Sequence, residues 1–100
     1  MTEYKESFKD YLRQNGYKEF TPSGNPSTVY DYAKRIDYII WLENFSSWQD
    51  VADNIDRLLK DYGEFGARAK EGKKSHCAVI NALKRFSEFL SAQNHCAIEI

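Results

Sequence analysis

Apolar side chains recur at helical spacing in four stretches of this chain, and residues that stop a helix follow each one. Tyr4, Phe8, Tyr11 and Leu12 stand at i, i+4, i+7 and i+8, one stripe of a helix. Asn15-Gly16 ends it, with Gly16 suited to the left-handed position just past a helix. Thr21-Pro22-Ser23-Gly24-Asn25 is turn chemistry. A second helix is expected to start at Asn25 or Ser27, because Pro26 in a first turn lacks only an N–H that has no partner there. Its buried stripe is Val29, Ala33, Ile36 and Ile40, flanked by Tyr32 and Ile39. Asn44-Phe45-Ser46-Ser47 breaks the pattern, and Ser46 with Gln49 three residues on reads as a capping box for a third helix. That helix carries Val51, Ile55, Leu58, Leu59 and Tyr62 on its apolar face, and Gly63 closes it.

Residues 64–74 form a long connection bounded by glycines, with Phe65 placed to pin it to the core. Ser75 is the natural N-cap of a last helix with the stripe Val79, Leu83, Phe86 and Leu90, widened by Ile80. Beyond Gln93 no helical pattern continues, so a frayed or locally packed tail is expected. Repeats and alternating strand patterns are missing. The expected fold is all-α, one irregular four-helix domain over residues 1–100, with a core over about 3–92 and a tail over 93–100. Helices are expected near 3–15, 26–43, 47–62 and 75–92, burying Ile36, Ile40, Ile55, Leu59, Leu83 and Phe86 together.

Composition agrees with a folded, water-exposed domain. At 42% hydrophobic and 15% aromatic residues the chain can fill a core, and its net charge of -1 is far from that of a disordered segment. No run approaches the ~20 apolar residues of a membrane span. The charged start, Met1-Thr2-Glu3-Tyr4-Lys5-Glu6, lacks the apolar region of a secretory signal, which makes a cytoplasmic location the expectation. Two cysteines, Cys77 and Cys96, are too few for a disulfide framework. A helix between them would separate them by well over ~20 Å unless the tail folds back, so both are expected as reduced thiols.

The small net charge conceals an uneven distribution. Residues 1–67 hold 8 Lys or Arg and 12 Asp or Glu, a balance of -4. Residues 68–85 hold Arg68, Lys70, Lys73, Lys74, Lys84 and Arg85 against Glu71 alone, a balance of +5. Such a stretch is either an anion-binding face or an ordinary solvated one.

Candidate chemistry narrows the field by exclusion. His76-Cys77 and His95-Cys96 invite a zinc site, but side chains adjacent on a helix diverge by about 100° and cannot converge on one ion. Cys77, preceding an apolar face, reads as a small core residue rather than an activated thiolate. Asp50, Asp53 and Asp56 follow the spacing of a solvated helix surface. Neither a phosphate-cradling Gly-rich loop nor a dinucleotide fingerprint is present. The expectation is no enzyme, no metal and no cofactor. Trp41 and Trp48 flank the turn between the second and third helices, where a Trp pair reads as a packed corner, with a binding platform as the alternative.

Several short motifs recur in one known family. They are Phe8-x-x-Tyr11-Leu12, then Ser27-Thr28 followed by Tyr30 and Ile36, then Lys73-Lys74-Ser75-His76 and Ala82-Leu83-Lys84-Arg85-Phe86-x-x-Phe89-Leu90. Over about residues 5–91 the pattern resembles the N-terminal SAM-like, or core-binding, domain of tyrosine recombinases and phage integrases. The resemblance implies a non-catalytic half of a clamp around duplex DNA, the strand-cutting domain being a separate one. It assigns no catalytic role to any of the seven tyrosines here. Lys73, Lys74, Ser75 and His76 at a helix start would then face phosphates. Lys34, Arg35, Lys84, Arg85, Arg68 and Lys70 are the further candidates, and a solvated face is the alternative for each. The acidic first two-thirds and the aromatic content support a second reading, a helical adaptor that binds a protein partner.

Overall fold

The computed structural model describes residues 4–18, 20–25 and 27–98, without the side chains of residues 75, 76 and 94–98. Among the described residues six helices run in the order α1 (Tyr4–Gln14), α2 (Thr28–Glu43), α3 (Trp48–Asp53), α4 (Ile55–Asp61), α5 (Ala69–Gly72) and α6 (Lys74–Ile98). The fold is all-α, and no strand occurs among the described residues. The helix count exceeds the expected four because the third helix is split and the long connection contains a turn of its own.

Local chemistry accounts for most boundaries. Past α1, Gly16 adopts φ +93, which lets Tyr17 N–H reach the Leu12 carbonyl at 3.0 Å and Gly16 N–H the Arg13 carbonyl at 3.1 Å. Asn44 repeats the device after α2 at φ 60, with Phe45 N–H on the Ile40 carbonyl at 2.9 Å. Ser27 stands at the N-cap position of α2 in extended conformation, with no hydrogen bond between its side chain and the helix end, and Pro26 lies outside the described residues. The capping box expected at Ser46 and Gln49 does not form. The helix starts one residue later, at Trp48, so Asp50 occupies the third helical position and accepts the Ser46 N–H at 2.8 Å. Gln49 donates to Asp53 instead.

Asn54 splits the expected third helix. Its side-chain amide donates to the Asp50 carbonyl at 2.8 Å, the local competition by which Asn interrupts helices. The break changes which residues are buried. Val51, Leu58 and Tyr62 are fully covered, whereas Ile55 and Leu59, expected in the centre, pack at its edge. On α2 the covered residues are Val29, Ala33, Ile36 and Ile39, and Ile40 moves to the flank. Because α1, α3 and α6 all pack on α2, its buried arc follows three neighbours rather than one stripe. Leu83 and Phe86 are fully buried, as expected.

Glycine, rather than Phe65, holds the 64–74 connection. A Cβ on Gly72 would lie 2.0 Å from the Tyr62 carbonyl oxygen, and one on Gly66 2.1 Å from that of Lys60. Only backbone fits at both places, so α5 rests directly on the end of α4. Phe65 itself is 95% exposed.

The last helix starts at Lys74, which puts Ser75 inside its first turn rather than at the cap. Cys77 has φ 68 and is exposed, not a core residue, and full burial begins with Ala78, Val79 and Ile80. At the other end α6 continues to Ile98, past the expected limit at Gln93. Residues 94–98 contain neither Gly nor Pro, and extending an existing helix costs little.

The centre of the molecule is aromatic. Phe8 packs edge-on against Phe86 with ring centres 5.3 Å apart, and Trp48 does the same at 5.5 Å. Trp48 also donates its indole N–H to Asp37 at 2.9 Å, so it forms the packed corner expected of the Trp pair. Trp41 does not: it is 74% exposed.

Candidate nucleic-acid interface

The basic residues singled out from the sequence fall into two groups. Arg35 pairs with Asp31 at 3.2 Å, Arg85 with Glu88 at 3.2 Å, Arg68 with Glu43 at 2.9 Å and Lys74 with Glu71 at 3.2 Å. Arg68 belongs to the scaffold, since its partner carboxylate is only 9% exposed and also accepts the Tyr62 hydroxyl at 2.8 Å. Arg35 keeps its Nε buried without a hydrogen-bond partner among the described residues. Lys34, Lys70, Lys73 and Lys84 are exposed and enter no described ion pair. The side chains of Ser75 and His76 lie outside the described residues.

These residues stand on different elements. Arg68 and Lys70 stand on α5 and before it, Lys73 and Lys74 at the start of α6, and Lys84 and Arg85 several turns along it. Lys74 adjoins α2 through its hydrogen bond to the Tyr38 hydroxyl.

A different assembly emerges on the solvent side of α2. Tyr30, Lys34 and Trp41 are the exposed residues of that helix before its C-cap, and their separations of four and seven residues place them on one stripe. Beside Tyr30 and Lys34, Lys5 and Lys9 of α1 close a hollow of about 180 Å³ whose remaining wall is Ala33 and Asp37. Asp37 is doubly engaged, by Lys5 at 2.9 Å and by the Trp48 indole, so the hollow is lined by three lysines and a single carboxylate. Phe20, 49% exposed, leans on Tyr30 at 6.0 Å and extends the ridge.

At the other end of the stripe Trp41 stacks on Tyr38, with ring centres 6.1 Å apart and planes 24° from parallel. Tyr38 is fixed from its oxygen: it donates to Glu71 at 2.7 Å and accepts from Lys74 at 2.8 Å. Lys74 Nζ lies 5.1 Å from the Tyr38 ring centre, so the ammonium sits by the hydroxyl rather than over the ring, and the stacking face belongs to Trp41. The Tyr38 hydroxyl, and then Lys74, hold the Glu71 carboxyl below the ordinary carboxylate range. The same hydroxyl and Glu71 raise the Lys74 ammonium. Both charges therefore persist at neutral pH.

Of these residues the sequence singles out Lys34 and Lys74 as candidates and reads Trp41 as part of a packed corner, and it does not mark Lys5, Lys9, Tyr30 or Tyr38 as contacts. One signal was present: Tyr30, Lys34 and Trp41 repeat at helical period opposite the apolar stripe. Among the described residues no three His, Cys, Asp or Glu side chains converge as a metal site, and no helix is long and apolar enough to cross a membrane. Comparison with known proteins finds no family model, curated protein or solved structure that matches the chain.

Proposed function

We propose that this chain is a non-catalytic, cytoplasmic DNA-binding domain that meets the phosphate backbone through lysines gathered around α2. One observation carries the reading: Lys5, Lys9 and Lys34, from α1 and α2, surround one hollow, and Lys74 of α6 meets α2 one turn farther along, at Tyr38. Ammonium groups clustered on one face raise the local potential even where the whole molecule is near neutral. Lys73, between α5 and α6, and Lys84 on α6 are exposed as well and add positive charge without defining the site. The resemblance to the integrase core-binding domain points the same way. Acidic surface elsewhere repels phosphates, so weak binding with little sequence preference is expected.

A second reading, a helical adaptor for a protein partner, draws on two aromatic side chains in water, Phe65 and Trp41. Salt separates the two. Anisotropy of a labelled duplex, titrated between low and moderate salt, should show log K falling linearly with log salt. Lys9→Gln and Lys34→Gln should each reduce the slope by about 0.9 for the contact removed, equally for unrelated sequences. Binding that ignores salt, or no binding of any DNA, duplex or single-stranded, at low salt, would move the case to the adaptor.

A further inference from the structure

We propose that the α2 ridge is a stacking platform for unpaired bases, so that the preferred ligand is single-stranded nucleic acid, with Trp41 taking the face of a base and the Lys5–Lys9–Lys34 hollow holding its backbone. This rests on the nucleic-acid reading above and narrows its ligand. The rings decide the class. In a duplex the faces of the bases are covered by their neighbours and only edges and phosphates remain to be read. An indole 74% exposed on the solvent side of α2 offers a face rather than a hydrogen-bonding fork, and among nucleic acids that face is matched by a base out of its stack.

The platform is also preorganised. Trp41 rests on Tyr38, and Tyr38 is clamped at its hydroxyl by Glu71 and Lys74, so the indole has a fixed ring behind it. Seven residues separate Trp41 from Lys34, about 10 Å along the helix. A strand stacked on the indole therefore reaches the lysine-lined hollow with its own backbone, and beyond it the Phe20–Tyr30 pair offers further ring surface. The alternation of rings and lysines argues against a protein partner on this face. Protein interfaces concentrate aromatic residues but exclude lysine from their centres, whereas backbone-tracking grooves require both.

The test uses the full chain with three labelled probes: a 12-nucleotide oligothymidine, an abasic strand of equal length and charge, and a 12-base-pair duplex. The oligothymidine should bind tighter than the abasic strand and quench the exposed indole. Trp41→Ala should weaken oligothymidine binding roughly 5- to 100-fold, bring it to the level of the abasic strand, and change duplex binding less than about twofold. Trp41→Phe should restore most of the affinity, which guards against a folding defect as the cause. Lys34→Gln should weaken all three probes. If the duplex binds but Trp41→Ala leaves oligothymidine unaffected, or the abasic strand binds as well as oligothymidine, the stacking inference is wrong and the phosphate reading stands. If none of the probes binds at low salt, both fall together.

Discussion

Glu43 concentrates much of the polar chemistry of the fold in a single side chain. It accepts the Tyr62 hydroxyl at 2.8 Å, pairs with Arg68 at 2.9 Å and meets Arg57 at 3.3 Å, joining the ends of α2 and α4 to the segment before α5. Tyr62 is fully buried, and burial, then the hydrogen bond to Glu43, pushes its phenol well above the ordinary tyrosine range. A raised folded value means that the contribution is fully present at neutral pH and is lost as pH rises past about 10, where the unfolded phenol ionises first. Tyr62→Phe should cost roughly 1–3 kcal/mol in a denaturant titration at pH 7 and flatten the alkaline arm of the stability profile. An unchanged alkaline arm would mean that another group governs it. None of this network was legible in the sequence, because Glu43, Arg57 and Arg68 lie on separate elements whose approach depends on tertiary packing.

Elements were legible where punctuation and period agree. Gly16 and Asn44 mark the ends of the first two long helices, and the apolar spacing of α1 and α2 gave their extents within about two residues. The misreadings have specific physical causes. Asn54 looks like an ordinary surface position within a helical period, and only its bond back to Asp50 turns it into a break. In the 64–74 connection Phe65 carries the apolar surface, yet the glycines do the packing, because backbone against backbone leaves no room for a Cβ. Gly72→Ala should therefore destabilise the protein by about 1–3 kcal/mol, read as a lower midpoint in urea, although alanine is the better helix former. A midpoint that rises would place α5 farther from α4 than the 2.0 Å approach at the Tyr62 carbonyl requires. On α2, the buried side could be read from the sequence, whereas the exposed ridge needed α1 beside it. No period reveals which face of α1 borders α2, so Lys5 and Lys9 could not be joined to Lys34 beforehand.

At the scale of the whole molecule, one aromatic core serves every helix that carries the site. Phe8 of α1 meets Phe86 and Phe89 of α6 at 5.3 Å and 5.7 Å, and Trp48 of α3 closes the cluster while bonding Asp37 of α2. The hollow is thus fixed from behind by the same contacts that stabilise the fold. Leu83, fully buried on α6, should be intolerant of truncation: Leu83→Ala should cost on the order of 2–5 kcal/mol through the cavity it leaves. A thermal melt unchanged by that substitution would put the buried face of α6 elsewhere. The central functional claim is that nucleic acid docks on the ridge formed by α2 with its neighbours. Its most direct test is amide shift mapping of the labelled protein with a short DNA at low salt. Perturbations should cluster at residues 5–9 and 30–41 and around Lys74, and should fade as salt is added. Shifts confined to the groove between α1 and α6 lined by Tyr11 and Phe89, or no shifts at all, would contradict it.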